Sequence, residues 1–392
     1  MRARPRAHAR ARERKVLKAI VIGGGIIGCS VAWRLAAEGV ATTVLERGRV
    51  GQEASWAAAG MIAPQAEADG PGPFFDFCMK ARDAFEATVD RLVREGGVDP
   101  EYDRGGILYV ALDADERVQL ERRARWQRGV GATVEELSGA EARRLEPMLS
   151  PEAIYAIHMP TNRRTDNRKL TQAYAAAARG AGAEFVEGAR VEALALRGGR
   201  SSGEGARADG VVMDDGSTRE ADVVVNAAGS WAGEIRGLEA DRVKLHPVRG
   251  QIVCFEVAPA TIGPALFSLR GYLVPRRDGR LLAGSTMEEA GYNKSVTLAG
   301  LEKIVRGAAA IVPALGGAPF REAWAGLRPA TRDLMPVLGF SPSVANVLWA
   351  AGHFRSGILL SAITGEIIAD LVKGRSPAVE LGTFSAARFK EQ

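Results

Sequence analysis

Ordered hydrophobic patterning begins at Lys18. KAIVIGG is a short apolar run rich in β-branched residues, the pattern of a buried strand. From Ile26 to Glu38 a helix is predicted, with Ile27, Val31 and Leu35 on one face and Gly39 as its stop. ATTVLE, 41–46, predicts a second strand. A long helix is expected from Phe74 to Arg94 ahead of Gly96-Gly97, then a strand at 106–112 and a charged helix from Asp115 to Gln127. Lys169 to Gly182 reads as an alanine-rich helix. A hairpin follows near 189–213, and its Gly/Ser-rich connection, 197–210, reads as a mobile surface turn. ADVVVNAAG, 221–229, predicts a buried strand running into a glycine. Short strands at 250–257, 272–275 and 281–285 suggest a more antiparallel region. A helix at 299–311, a strand at 347–351 and a helix from Gly357 to Lys373 complete an α/β pattern without a fixed-period repeat.

Length narrows this picture: 392 residues suggest two or three domains. With 46% apolar and 25% charged residues, the composition excludes a disordered or collagen-like chain. Cysteines stand only at 29, 78 and 254, too few for a disulfide framework, so a reducing, cytoplasmic compartment is expected. They read as packing residues. No run approaches the ~20 apolar residues of a membrane helix. The pI near 9.2 invites a nucleic-acid reading. However, the first 18 residues hold eight Lys/Arg and one Glu, a charge of +7, which leaves −2 for the rest of a chain with net +5. That start has no apolar h-region and reads as a basic tail, 1–17, outside the fold. Aromatic residues are only 6%, without a basic-aromatic stripe, so no nucleic-acid partner is expected.

The strongest local motif is IVIGGGIIG. Gly23, Gly25 and Gly28 fit G-x-G-x-x-G between a strand and a helix. Gly23 suits a tight turn, Gly25 a close approach to pyrophosphate, and Gly28 close helix–strand packing. The helix N-terminus offers free N–H groups to phosphate. Glu46 stands 18 residues beyond Gly28 at the end of the second strand, where a carboxylate accepts from a ribose 2′-OH and repels a 2′-phosphate. The motif does not separate NAD from FAD. The following small-residue loop, EASWAAAGMIAP at 53–64, suits a large flat cofactor.

Five segments carry a family resemblance: IVIGGGIIG, ERGRVGQEASWAAAGMIAP, VVNAAGSWA, WAGLRPATRDLMPVLG and AAGHFRSGILLSAITGE. The chain resembles the glycine oxidase and D-amino-acid oxidase family of flavoproteins, which includes sarcosine oxidase, and is most similar to its glycine oxidase branch of thiamine biosynthesis. The resemblance implies an α/β fold with a discontinuous, Rossmann-like FAD-binding domain, about 16–98, 150–244 and 322–392. A mainly antiparallel β substrate domain would take about 99–149 and 245–321. It implies FAD held by Gly23, Gly25, Ile26, Ile27, Gly28, Glu46 and Arg47. Ser55, Ala58, Ala59, Gly60 and Met61 would line the flavin and its ribityl chain. Val191 would lie at the adenine, and Ala227, Gly229 and Trp231 near the diphosphate. Gly326, Gly352, His353, Arg355, Ser356, Gly357, Ile358 and Leu359 would wrap the ring system. Covalent attachment in the sarcosine oxidase relatives uses a cysteine in the C-terminal third; this chain has none there, so FAD is expected to be non-covalent.

The implied chemistry is hydride transfer from the Cα of a small amino acid or amine to flavin N5. The resulting imine hydrolyses to a keto acid and ammonia, oxygen takes the electrons and peroxide forms. A dehydrogenase passing electrons to a quinone is the alternative. A planar guanidinium is the best carboxylate clamp, because it pairs bidentately. Arg328, in AWAGLRP, is the leading candidate, with Tyr272 as a second donor and Arg355 over flavin and substrate. His353 reads also as a satisfied structural histidine, and His246, Arg249 and Gln251 as secondary pocket candidates. No metal-ligand spacing appears. The family implies a homo-oligomer, a tetramer or dimer.

Overall fold

The computed structural model describes residues 16–197 and 205–389. Residues 1–15 of the basic tail and 198–204 of the glycine-rich 197–210 connection lie outside these. A six-stranded sheet runs Val337–Phe340, Val347–Ala351, Val223–Asn226, Lys18–Ile22, Ala41–Glu46, Glu184–Glu187, with every pair parallel except the first. Alternation along the strands decides what covers each face. Val21, Val44, Val225 and Leu348 pack with the helices Ile26–Ala37, Pro73–Gly96, Asn167–Gly180 and Gly357–Val372. Ile20, Ile22, Leu45, Val224 and Trp349 point the other way, against Val191, Leu194 and Val211 of a three-stranded antiparallel sheet. A strand buried on both faces has no polar alternation, which is why KAIVIGG reads as a continuous apolar run. Each fully buried Val, Leu or Ile adds about 1.5–3 kcal/mol.

A second sheet has eight strands, in the order Phe320–Thr331, Leu245–Glu256, Arg280–Gly284, Gly271–Pro275, Ala265–Ser268, Ile107–Ala111, Tyr155–Met159, Glu135–Ser138. Only Ala265–Ser268 and Ile107–Ala111 pair in parallel. Leu108, Val110, Leu266 and Leu273 pack under Ile304, Ala308 and Ile311 of helix Leu298–Ile311. The opposite face, with Ile107, Tyr109, Ile252 and Val274, meets Ala57, Ala59 and Ala63 of the small-residue loop.

Two strands depart from the domain divisions expected at 150 and 322: Tyr155–Met159 lies wholly beyond the first and Phe320–Thr331 spans the second. Tyr155–Met159 pairs with Ile107–Ala111, and Phe320–Thr331 pairs with Leu245–Glu256 from Leu245↔Thr331 to Phe255↔Phe320. Both therefore belong to the eight-stranded sheet. Tyr155, Ile157 and Met159 alternate onto its inner face. The helix expected from Lys169 starts at Asn167, because Asp166 caps it by accepting from the N–H groups of Arg168 and Lys169.

The loop at 55–60 is fastened through its carbonyls. Asn167 Nδ2 donates to Ser55 O at 2.7 Å and to Trp56 O at 3.0 Å. Trp324 Nε1 donates to Ala57 O at 3.0 Å, Arg276 Nη2 to Ala59 O at 2.9 Å, and the Thr165 N–H to Gly60 O at 2.8 Å. Gly60 has φ +77°, and a Cβ there would strike the Thr165 carbonyl. Arg276, with 2% side-chain exposure, also donates to Asn167 Oδ1 at 3.0 Å and faces Asp166, which takes a 2.7 Å bond from Arg280. Burial pushes the Asp166 carboxyl up, but Arg276, the Lys169 N–H and Arg280 outweigh it and hold it below the usual range.

Arg276→Met removes the donor to Ala59 O and Asn167 Oδ1 and is expected to destabilise the protein by about 1–3 kcal/mol. The exposed neighbour substitution Arg277→Met is expected to stay within about 0.5 kcal/mol. Thermal melts of both variants check this.

Candidate active site

The carboxyl ends of the parallel strands converge on a long cleft, the place where open α/β sheets bind ligands. It has two connected parts that share Gly25, Ala54, Ser55, Ala227, Gly229 and Leu327 as walls. The first, about 270 Å³, is lined by Gly23, Glu46, Arg47, Val191 and Trp231. The second, about 440 Å³, lies between the 57–61 loop, the start of helix Gly357–Val372 and the eight-stranded sheet.

Local geometry explains the first part. Gly23 has φ +101°, and a Cβ there would lie 2.6 Å from Ala227 O. A Cβ on Gly28 would collide with Gly23 O, so Gly28 sets helix–strand packing and does not line the cleft. Gly25 caps helix Ile26–Ala37 without a side-chain partner, leaving the helix N-terminus to offer its donors. Ser55 Oγ accepts from the Ile26 N–H at 2.9 Å. The Glu46 carboxylate is already held by the N–H groups of Gly24, at 2.7 Å, and Gly48, at 2.8 Å. The acid expected to grip a ribose thus also fixes the glycine turn. The Arg47 guanidinium lies 3.4 Å from the Trp231 ring centroid and 3.1 Å from Glu53.

The second part carries the candidate chemistry. Arg328 leaves strand Phe320–Thr331 and lies across Gly250 on the neighbouring strand, where a Cβ would occupy the guanidinium's place. It donates to Thr286 O at 3.1 Å and Ser285 Oγ at 2.8 Å, both neutral acceptors. Among the described residues no carboxylate lies within 4 Å of it, and burial lowers its proton affinity. Tyr272 lies over Gly284, whose missing Cβ makes room for the ring, and burial pushes its hydroxyl upward. Tyr109, Phe267 and Tyr272 form an aromatic row, with centroids 5.8 and 5.5 Å apart. Arg355 lines the same cavity, with its Nε 3.0 Å from Glu67 Oε2. Burial raises the Glu67 carboxyl against the pull of Arg355 and Arg328.

Ile26, Ile27, Ala58, Ala59, Gly60, Met61, Gly326, His353, Gly357 and Ile358 line this second part. Gly352, Ser356 and Leu359 do not line either part: Gly352, at φ +72°, turns the chain against Thr331, Ser356 stands at the helix cap, and Leu359 is fully buried in the helical core. Arg249 and Gln251 turn away to bond Glu288, and His246 faces Glu289 at 3.7 Å. Glu67 was not singled out from sequence; its signal was its place just after the small-residue loop. None of the three cysteines lines the cleft, and burial pushes the Cys29 thiol up to about 12. Among the described residues no group of His, Cys, Asp and Glu could hold a metal. No helix of those residues is long and apolar enough to cross a membrane.

The family model for FAD dependent oxidoreductases, DAO, matches residues 18–371. The chain belongs to this family. It is accordingly an FAD-dependent enzyme of the amino-acid oxidase kind. It is 34% identical to a glycine oxidase of Bacillus licheniformis over 96% of this chain and 98% of that one. It is 35% identical to the bifunctional protein ThiO/ThiG of Synechocystis, over 94% of this chain and 54% of that protein. The crystal structure of glycine oxidase from Geobacillus kaustophilus superposes with a TM-score of 0.88 at 30% identity, covering 95% of this chain and 99% of that one.

The residues fit the family's cofactor. An elongated cleft, an uncapped helix N-terminus at Gly25, a carboxylate at the second strand's end and an apolar second part suit a phosphate, a ribose and a flat ring system.

His353 is buried, and its Nε2 lies 3.1 Å from Thr364 Oγ1. Burial pushes its pKa down from 6.5 to about 3, so it stays neutral in the fold. The unfolded chain takes up a proton below pH 6.5 and the folded one does not, so the stability this gives is lost as pH falls from 6.5 toward 3. A His353→Gln variant is expected to lose less Tm than the parent between pH 7 and pH 5, read by melts at both values.

Proposed function

We propose that the chain oxidises glycine or a similarly small amine bearing one carboxylate, giving an imine that hydrolyses to a keto acid and ammonia. The observation that carries this reading is the Arg328 guanidinium, half-buried on the cavity wall with neutral partners only. A cation so placed is costly unless an anion arrives to meet it. A substrate carboxylate supplies the anion and takes a charge-assisted pair of bonds. The Tyr272 hydroxyl, which burial holds still more firmly in its neutral form, donates to the same carboxylate. The aromatic row excludes water from the reacting carbon.

Gly23, Gly25, Glu46, Ser55, Ala227 and Gly229 would hold FAD without a covalent bond. Bound there, FAD would supply the hydride acceptor and, with oxygen as the electron acceptor, the route to peroxide. The reactive amine is neutral, since its lone pair must assist loss of hydride from Cα. No side chain needs to remove a carbon-bound proton. The likeness to the ThiO/ThiG protein supports a place in thiamine biosynthesis, where the imine would be consumed.

The test is peroxide release by the holoenzyme from glycine, sarcosine, D-alanine and D-proline, run beside a dye acceptor. Turnover with the dye alone would assign the quinone-type dehydrogenase instead. Arg328→Ala is expected to raise KM about 10- to 150-fold, the worth of 1.5–3 kcal/mol for bonds to a charged group. Gly250→Ala, whose methyl displaces the same guanidinium, is expected to raise KM in the same direction. An unchanged KM in Arg328→Ala removes the residue from the site. Acid precipitation is expected to leave the yellow colour in the supernatant; colour in the pellet overturns non-covalent binding.

A further inference from the structure

The second part of the cleft has three guanidinium groups on its wall, those of Arg270, Arg328 and Arg355, but only one that is free for a substrate. Arg328 meets only Thr286 O and Ser285 Oγ. Arg355, in the turn before helix Gly357–Val372, is taken by Glu67 at 3.0 Å. Glu67 ends the short helix Pro64–Glu67 and keeps 10% side-chain exposure, against 37% for Arg355. Two further cations lie where the wall opens to solvent. Arg270 is bonded by Glu116 and Asp113, both at 2.8 Å, and Lys303 is exposed. The wall's four cations, Arg270, Lys303, Arg328 and Arg355, are offset by the three carboxylates bonded to them, Glu67, Asp113 and Glu116, a net +1. An amino acid with a neutral amine carries one negative charge and cancels it. A second carboxylate would stay uncompensated in a largely apolar cavity, where an unpaired charge is costly.

We infer that Glu67, by occupying Arg355, is the specificity residue that restricts the cavity to amines bearing a single carboxylate. The inference rests on the proposed amine-oxidase reading for its substrate class. Glu67 adds no bond to the substrate; it denies a second anion the guanidinium that would receive it. Arg328 and Tyr272 stand on the eight-stranded sheet, Arg355 in the turn before helix Gly357–Val372, and Glu67 at the end of helix Pro64–Glu67, whose Ala66 packs against the eight-stranded sheet. A freed Arg355 would be a second guanidinium open to an anion on the same wall.

The probes are sarcosine and iminodiacetate, which differ by one carboxylate on the N-methyl carbon. The parent holoenzyme is expected to show a kcat/KM for sarcosine at least about tenfold above that for iminodiacetate. Glu67→Gln, which keeps the shape and removes the charge, is expected to narrow or invert this ratio by about tenfold or more. Glu67→Asp, which keeps the charge, is expected to stay on the parent's side. A parent that oxidises sarcosine with an unchanged ratio in Glu67→Gln overturns the inference. If the parent oxidises neither amine, the amine-oxidase reading fails, and calorimetry with acetate and malonate still decides the inference. Glu67→Gln is then expected to gain about tenfold in malonate affinity relative to acetate, and an equal change for both overturns it.

Discussion

A half-buried guanidinium without a counter-ion organises the substrate side of this molecule. Arg328 has a planar group that needs room, donors that need acceptors and a charge that water screens only in part. Room comes from Gly250, the residue two strand positions from its register partner Val248, and from Gly284 beneath Tyr272. Acceptors come from the turn at Ser285 and Thr286. The charge itself is left for the ligand. A buried carboxylate placed within reach would have stabilised the free protein and closed the site. The fold instead gives its nearby carboxylate, Glu67, to the other arginine.

The same logic holds on the cofactor side, where the backbone takes the place of a charged group. The 55–60 loop gives its carbonyls to Asn167, Trp324, Arg276 and Thr165. These donors belong to helix Asn167–Gly180 and to the eight-stranded sheet with its turns. A loop fastened from both sides keeps a fixed face toward the cleft without large side chains of its own. That explains its alanines and glycine: Ala57 touches the place where a Gly326 Cβ would be, and Gly60 touches Thr165 O and Arg276. Cofactor and substrate parts are thus coupled through one short segment.

Features that depend on neighbours in sequence were legible from sequence. The strand–glycine–helix unit at 18–38 and the acid ending the second strand are local patterns, and they stand where expected. Features that depend on pairing at long range were not. The Phe320–Thr331 strand contains Gly326 and Pro329, which lower strand propensity, and it holds through its ladder with Leu245–Glu256. Arg276 sits in PRRDGR, which reads as a solvated turn, yet its side chain is nearly fully buried. Glu67 sits on a four-residue helix too short for any periodicity. Arg328 was reached through a family resemblance, because one arginine among many carries no mark of burial.

Charge shows the same division between what a chain states globally and what a site needs. The net charge of +5 belongs to the first residues, and the remainder sums to −2. Neither number bears on the cleft, since surface charges beyond about 10 Å are screened. Within the cavity, screening is weak and single groups count. One arginine free, one arginine taken and one glutamate spent on it leave a single positive charge, and the ligand that balances it carries a single carboxylate. A chain near neutrality overall therefore discriminates by charge at one point, where Glu67 decides how many anions the wall can accept.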